Sequence, residues 1–308
     1  MVDGTQAIQN TQALPSLSGW RARSRAWRGG LQGSEYTWAV AFVVPYIAVF
    51  LAFVIYPVIY GFWMGSEPQL YAELWDDPVY KMTVVNTLIY LAIGVNVKMF
   101  LALLLSGFFM RPGWWTKVLL MIFVLPWAVP SMPAFISIHW FFNGDYGFLN
   151  NLLYHLFGAN GPAWLDSRWL AMGSVIVSYI WKYMPFWTVI LLAGRMAIPA
   201  EINEAAKVDG ATGIRNFIYI SFPMLANLYL VCTLLSTIFT VGEFNAPTFV
   251  SGGGPAFSTY VLATLGIRDA FDLAQPRLGV AAVISALPLV IPLVIILMRK
   301  LKTAQVQL

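Results

Sequence analysis

Six long apolar stretches separated by polar loops dominate the pattern of this sequence. They cover residues 38–62, 83–110, 118–142, 169–193, 224–241 and 280–298. The length of each stretch is close to or greater than that of an α-helix that crosses the hydrocarbon core of a bilayer, which needs about 20 residues. Their apolar residues run on without alternation, which argues against a β-barrel and leaves the helix as the spanning structure. The pattern predicts an all-α membrane protein with six transmembrane helices.

The composition supports this interpretation and excludes a soluble protein. Of the 308 residues, 59% are hydrophobic and only 10% are charged. An average soluble domain has about 25% charged residues, so this chain has too few charges to cover a water-facing surface. Prolines interrupt several of the stretches, and within a membrane bundle we expect them to mark kinks that neighbouring helices tolerate.

The charged residues divide the chain and orient it. We expect one membrane domain over residues 36–302, a flexible cytoplasmic tail over 1–35 and a short cytoplasmic C-terminus over 303–308. Twelve of the 18 Lys and Arg residues lie in the tail, in alternate loops and at positions 299–302 after the last stretch, whereas the other loops hold four. Because cytoplasmic loops carry an excess of Lys and Arg, both termini are predicted to be cytoplasmic. The net charge of +4 is thus assigned to membrane orientation and not to a nucleic-acid partner.

The polar loop at residues 198–223 has the features of a short helix, a sharp turn and a second short helix. Pro199 suits the first turn of a helix, and Glu204 lies early in that helix, where the dipole favours a carboxylate. Gly210 is free to take the positive φ that ends a helix. A second helix is expected over residues 214–220, before the fifth membrane stretch opens.

This loop resembles the EAA loop of ABC importer membrane subunits. Glu204-Ala205-Ala206 is followed after three residues by Gly210, and then by Phe222-Pro223, where the usual pattern has Leu in place of Phe222. The resemblance implies a coupling helix held in a cleft of a separate ATPase subunit, with Glu204 as anchor and both alanines facing the partner. The alternative is an amphipathic helix lying on lipid, for which this acidic, alanine-rich segment is poorly suited. The residues assigned to coupling are Glu204, Ala205, Ala206, Asp209, Gly210 and Pro223.

Further segments resemble carbohydrate-type permeases of the same class. Trp181-Lys182-Tyr183-Met184-Pro185-Phe186 is similar to their W-K-x-x-P-F segment, and Gly252-Gly253-Gly254-Pro255 is similar to a segment of the maltose-type first permease subunit. The resemblance implies a sugar or polyol substrate, an extracytoplasmic solute-binding protein, a non-identical second six-helix permease and a pair of ATPase subunits in a prokaryotic inner membrane. The chain would bind no cofactor itself, since it lacks a G-x-x-x-x-G-K-[ST] phosphate loop and ATP would be hydrolysed by the partner.

Polar and aromatic residues within or beside the stretches are candidates for the translocation path. Lys98 and Lys182 lie inside apolar stretches, where a charge is costly and suggests function, although snorkelling or pairing with backbone carbonyls would also explain them. Glu243 lies at the outer end of the fifth stretch, where a solvated loop carboxylate is the favoured interpretation. Aromatic rings could stack on a sugar or simply pack. The candidate path residues are Lys98, Trp127, Tyr179, Trp181, Lys182, Glu243 and Asn245.

Other functional classes make different demands on the sequence. Within the importer class, a glycerol phosphate, amino-acid or metal substrate is the nearest rival, but a phosphate would favour arginines in the membrane stretches, which contain none. A secondary transporter typically carries an inverted internal repeat, and none is visible. A membrane enzyme would need paired acids or a His/Asp cluster near one face, whereas the acids here are scattered through loops.

Overall fold

A computed structural model describes residues 33–306 of the chain, with side chains described for residues 37–301. The arginine-rich part of the predicted tail lies outside these residues, although residues 33–35 already belong to the first helix. The chain divides into two compact units, residues 1–60 and residues 61–308. The first contains most of the first membrane span, and the second contains the remaining spans and every site described below.

The described residues form α-helices joined by short π-helical turns and loops. The α-helices are α1 Gly33–Phe50, α2 Tyr56–Met64, α3 Pro68–Asp76, α4 Pro78–Ile89, α5 Asn96–Phe109, α6 Trp114–Ala128, α7 Ser131–Phe141, α8 Phe148–Phe157, α9 Arg168–Met196, α10 Ala200–Val208, α11 Ile214–Asn216, α12 Phe222–Val241, α13 Leu262–Ile267, α14 Pro276–Ile284 and α15 Leu287–Val306. The π-helical turns are Leu51–Ile55, Tyr90–Val95, Phe217–Ser221, Pro247–Ser251 and Arg268–Asp272.

Five continuous helical segments and one bent pair are long and apolar enough to cross a membrane. The first, second, fourth, fifth and sixth spans are Thr37–Met64, Pro78–Phe109, Arg168–Met196, Ile214–Val241 and Pro276–Leu301; the third span is the pair Trp114–Ala128 and Ser131–Phe141. Counting the pair as one crossing confirms the predicted all-α membrane fold with six spans. The fourth span is the most buried, at 56% of its most apolar window, and lies at the centre of the second unit.

The third span departs from the prediction of one helix over residues 118–142. Its two halves, α6 and α7, are bent by 100° at a break between Ala128 and Ser131. Val129 is extended, with φ −71° and ψ 139°. Pro130 explains this, because its ring disfavours helical backbone in the preceding residue and it has no N–H to donate to a helix.

The predicted second short helix over residues 214–220 is wrong as a separate element. Ile214 instead begins the fifth span, which continues through the π-helical turn Phe217–Ser221 to Val241. Pro223 follows that turn as the second residue of α12. In a π-helical turn, each backbone hydrogen bond spans five residues and not four. This turn comes immediately before the helix that contains Pro223, whose backbone has no N–H to donate.

The connections after the third and fifth spans contain more structure than their turn signals predict. Glycine and asparagine clusters at residues 143–147 and 252–255 indicate turns, but α8 follows the first cluster and α13 follows the second. The segment between the fifth and sixth spans folds back into the protein, where Ala246 and Val250 are buried in one cluster with Phe135, Val175 and Tyr179. This segment therefore forms part of the core beside the fourth span.

Candidate functional site

The fourth span presents three polar side chains on one face near its middle. Tyr179, Lys182 and Tyr183 stand three and four residues apart, the spacing that places side chains on the same side of a helix. Lys182 is 1% exposed and Tyr179 is also buried. Apolar side chains would suffice for packing inside the protein or for contact with lipid. The polar side chains on this face therefore mark the starting point of the site.

A chain of hydrogen bonds joins the second, fourth and fifth spans through Tyr179. Lys98 of the second span is 1% exposed, and its ammonium donates to the Tyr179 hydroxyl at 2.5 Å. The Tyr179 hydroxyl lies 2.5 Å from Oγ1 of Thr240, whose own hydrogen goes to the Ser236 carbonyl. The hydrogen bonds therefore all point in one direction, from the ammonium through two hydroxyls to a backbone carbonyl. Lys98 also lies 4.2 Å from the centre of the Tyr179 ring, where the π-face adds to its stabilisation.

Glu243 is buried, which corrects the interpretation of this residue as a solvated loop carboxylate. Its side chain is 8% exposed; Tyr183 donates to Oε2 at 2.8 Å, and the Ala246 backbone N–H donates to Oε1 at 3.1 Å. The residue is buried because the chain after the fifth span turns inward over the fourth span. Among residues 37–301, neither Lys98 nor Lys182 forms an ion pair with Glu243 within 4.0 Å, so the carboxylate is held by neutral donors.

Lys182 bonds to the backbone of the third span. Its ammonium donates to the carbonyl oxygens of Pro126 at 2.7 Å and of Trp127 at 3.3 Å, and also to that of Val129. The first two carbonyls lie in the last turn of α6, and that of Val129 lies in the break itself. Of the interpretations drawn from the sequence, the geometry matches pairing with backbone carbonyls.

Of the two interpretations of the aromatic residues, packing and not a sugar platform matches the positions of Trp127 and Trp181. Trp127 and Trp181 are 46% and 43% exposed, and Trp127 stacks on Phe186 at 5.4 Å. Asn245 is half-buried, two residues after Glu243. Of the candidate path residues, the structure thus brings Lys98, Tyr179 and Glu243 together with Lys182 at the edge, and leaves both tryptophans outside.

Four further residues of the cluster were missed by sequence reasoning. Tyr183 shares the Tyr179 face four residues later, a signal that was available. Thr240 and Ser236 also lie four residues apart on α12, but hydroxyls of this kind often bond to their own helix. Tyr90 lies 4.9 Å from Tyr179, ring to ring, and gave no signal. The Tyr90 hydroxyl and the Ser236 Oγ are buried, and neither has a hydrogen-bond partner among the described residues.

The loop after the fourth span contains a single well-defined helix, α10. Its last turn closes as a Schellman motif: Ala211 N–H bonds to the Ala206 carbonyl at 2.8 Å, and Gly210 N–H bonds to the Lys207 carbonyl at 3.1 Å. Gly210 has φ +78°, the left-handed conformation that this motif requires. The predicted role of Gly210 as the helix terminator is confirmed.

The two alanines of α10 face different ways. Ala205 is exposed with Glu204, whereas Ala206 is 5% exposed and buried against its own chain. This corrects the expectation that both alanines face a partner. A cavity of about 900 Å³ lies beside α10, at the ends of the second and fourth spans; its polar lining includes Arg111, Arg195, Asn203, Glu204 and Lys207. Asp209 is exposed beyond the helix end, and Pro223 lies in the first turn of α12.

Comparison of the sequence with known proteins identifies the family of the chain. A profile described as "Binding-protein-dependent transport system inner membrane component" matches residues 98–302, which include α10 and all of the buried cluster except Tyr90. The chain is 35% identical over 196 residues to the sulfoquinovosyl glycerol transport system permease protein SmoG of Agrobacterium fabrum, an alignment that covers 63% of this chain and 62% of that protein. It is 26% identical to the trehalose/maltose transport system permease protein MalF of Thermococcus litoralis, over 83% of this chain and 91% of that one.

A solved structure supports the fold. A bacterial alginate ABC transporter, crystallised with an alginate pentasaccharide-bound periplasmic protein, superposes on this chain with a TM-score of 0.72 at 20% sequence identity. The match covers 90% of this chain and 95% of the other. The resemblance to carbohydrate-class ABC importer permeases is confirmed by these relatives. The chain therefore belongs to the family of binding-protein-dependent transport system inner membrane components, the permease subunits of ABC importers.

Proposed function

We propose that this chain is the permease subunit through which an ATP-driven importer moves a sugar or polyol across a prokaryotic inner membrane. The observation that carries the proposal is the buried polar cluster between the second, fourth and fifth spans. A path for a hydroxyl-rich solute needs donors and acceptors inside an otherwise apolar bundle. The printed names of two relatives, which transport sulfoquinovosyl glycerol and trehalose or maltose, support the same substrate class.

The chemistry of the cluster suits a neutral polyhydroxyl solute. The carboxylate of Glu243 can accept from sugar hydroxyls, while the buried Tyr90 hydroxyl and Ser236 Oγ lack partners among the described residues and can bond to a solute. Lys98 is the one cation bonded within the cluster, and its hydrogen bond goes to Tyr179. A phosphate would be better served by several free cations converging on one point. Glycerol phosphate or an amino acid is therefore the less favoured substrate.

Coupling to ATP hydrolysis is proposed to run through α10. The exposed Glu204 and Ala205 would contact a cleft in a separate ATPase subunit, while the buried Ala206 anchors α10 to the permease. Closure of two ATPase subunits on ATP would push α10, and the movement would reach the fourth and fifth spans that flank the loop. ATP is then hydrolysed by the partner, and this chain binds no cofactor.

The proposed assembly contains a second, non-identical permease with six spans and an extracytoplasmic protein that delivers the sugar. Both termini and α10 are assigned to the cytoplasmic side from the distribution of Lys and Arg. Under this assignment, the outer connections containing α8 and α13 face the binding protein.

A reconstitution experiment tests the proposal. The tagged chain is purified in mild detergent from its own cells, its co-purifying subunits are identified, and the complex is placed in liposomes containing ATP. We expect an ATPase and a second permease to co-purify, and uptake of a labelled sugar that depends on ATP and on the binding protein. Purification without an ATPase, together with uptake driven by a proton gradient, would overturn the importer assignment. ATP-driven uptake of glycerol phosphate or an amino acid, with no sugar transported, would overturn the substrate class.

A further inference from the structure

The break in the third span leaves backbone groups that need hydrogen-bond donors. The last carbonyls of a helix have no partner within that helix, and lipid cannot supply one. Lys182 donates to three of these oxygens, in Pro126, Trp127 and Val129. An ammonium has three N–H donors, so the hydrogen bonds observed use all of them. Lys182 therefore has no donor left for a solute in this arrangement.

The next residue holds the other side of the same break. The Tyr183 hydroxyl gives its single hydrogen to Glu243, and Ser131 Oγ lies 3.2 Å from it as the remaining donor. Ser131 is the first residue of α7. Two consecutive residues of the fourth span thus contact both halves of the third span, and one of them also contacts the buried carboxylate of the cluster.

We propose that Lys182 is a positioning residue that fixes the break of the third span against the fourth span, with Tyr183 as its second contact. We call these two contacts, of Lys182 and Tyr183 with the third span, the clamp. The inference rests on the proposed function and deepens it, because the clamp would transmit movement of the third span to Glu243. Lys182 acts on transport through the backbone of the third span and not by contact with the solute. Its loss should slow transport without weakening solute binding.

The other buried lysine provides a matched control. Lys98 has the same charge, the same 1% exposure and a similar depth in a span, but its hydrogen bond goes to Tyr179 and not to the break. Lys182→Met and Lys98→Met remove the same group. A difference between the two variants at the break therefore cannot come from loss of a buried charge alone.

The experiment measures the distance between α6 and α7 across the break, which changes with the angle between them. Spin labels are attached at Met121→Cys on α6 and Ser137→Cys on α7, two exposed positions, after the single native cysteine, Cys232, is replaced by Ser. Distances are recorded in the reconstituted complex by double electron–electron resonance. We expect Lys182→Met to shift or broaden the distance distribution, Lys182→Arg to restore most of it, and Lys98→Met to leave it unchanged. In uptake assays, Lys182→Met should lower the maximal rate about tenfold, with KM within about twofold of wild type.

Several results would overturn the clamp. An unchanged distance distribution in Lys182→Met would do so, as would an equal change in Lys98→Met. If Lys182→Met does not assemble, Ser131→Ala and Tyr183→Phe each remove one hydroxyl of the α7 side, and an unchanged distribution in both would also contradict the proposal. The labels report the break whether or not sugar is transported. Failure of sugar uptake in the wild-type complex would thus count against the proposed function while leaving the clamp to be judged from the distances.

Discussion

Lys98 donates to the hydroxyl of Tyr179 across the interface of the second and fourth spans, with the two atoms 2.5 Å apart. Because Thr240 gives its hydrogen to the Ser236 carbonyl, the phenol donates to Thr240, and Tyr179 links the second span to the fifth. A charged donor in a dry environment makes one of the stronger hydrogen bonds available to a protein. The contact therefore holds three spans together near the middle of the fourth span.

Removal of either partner of this bond should reduce stability and transport together. Tyr179→Phe leaves the ammonium of Lys98 buried with one acceptor fewer, at a cost of about 2 kcal/mol for a hydrogen bond to a charged group. Lys98→Met removes the charge as well, so the double variant should be little worse than Lys98→Met alone. Thermal unfolding in nanodiscs and sugar uptake measure both effects. Tyr46→Phe, at an exposed position of the first span, is the control; additive effects in the double variant would contradict the pairing.

Substitution of Glu243 should affect solute affinity. Glu243→Gln can keep the acceptor for the Ala246 N–H but replaces the oxygen that accepts from Tyr183 with an amide donor. We expect KM for the sugar to rise about tenfold, equivalent to the loss of about 1.4 kcal/mol of binding, with the complex still assembled. Glu243→Ala removes both acceptors and should also lower the unfolding temperature. Asp145→Asn, at an exposed loop position, should leave KM unchanged. A KM for Glu243→Gln equal to that of wild type would remove Glu243 from the path.

Substitution of Gly210 should separate ATP hydrolysis from transport. A Cβ at this position would meet nothing within 4 Å, so the cost of a larger residue comes from φ +78° alone. A β-branched residue in the left-handed region costs about 1–2 kcal/mol, whereas Asn tolerates it. Gly210→Val should therefore displace the end of α10 and raise the number of ATP molecules hydrolysed per sugar imported. Gly210→Asn is the matched control and should remain close to wild type; equal ratios in both variants would contradict a coupling role that depends on this turn.

The membrane spans and the end of α10 could be predicted because their causes are local. A run of apolar residues needs only its own length to cross lipid, and Gly210 needs only its own missing Cβ to end a helix. The break at Pro130 could not be predicted in this way. Pro126 and Pro185 lie inside helices that continue past them. Pro130 accounts for the extended Val129, but the carbonyls that the break leaves open also need the donors of Lys182, which is more than fifty residues away in sequence.

Burial of Glu243 was missed for a related reason. The residue follows the last apolar position of the fifth span and precedes a glycine-rich segment, which is the pattern of a solvated connection. Its burial depends on the return of Ala246 and Val250 to the core beside Tyr179, a contact between distant parts of the chain. Local sequence shows which residues can cross a membrane, but not which connecting segments fold back between the spans.

Asp269 should make stability depend on pH. This carboxyl lies outside the spans in the turn Arg268–Asp272, and burial raises its pKa above the ordinary 3.8, although Arg268 acts in the opposite direction. Asp77 and Glu73 raise the pKa further through repulsion. The folded state thus holds the proton more tightly than the unfolded chain, and stability is lost as pH rises from the ordinary range through the raised pKa.

The matched substitution is Asp269→Asn, which stays neutral at every pH. The unfolding temperature of wild type relative to Asp269→Asn should fall as pH increases from about 4 through the raised pKa, because only the wild-type carboxyl must ionise while buried. Scanning fluorimetry of the complex in nanodiscs measures the difference. Asp272→Asn, at an exposed position of the same turn, controls for charge alone. A constant difference between wild type and Asp269→Asn across this range would contradict the assignment.

Close packing of two glycines fixes α13 against the start of the sixth span. A Cβ on Gly279 would lie 2.4 Å from the Gly266 carbonyl oxygen and 2.7 Å from the Ala270 backbone nitrogen, so backbone and not a flexible side chain would have to move. Overpacking of this kind costs about 1–3 kcal/mol. Gly279→Ala should therefore lower the unfolding temperature of the complex by several degrees. Gly173→Ala is the matched control, because a Cβ there meets nothing within 4 Å and alanine favours the helix by about 1 kcal/mol. Gly173→Ala should be neutral or stabilising; a loss of stability equal to that of Gly279→Ala would show that the added methyl group, and not the close approach of the two backbones, is responsible.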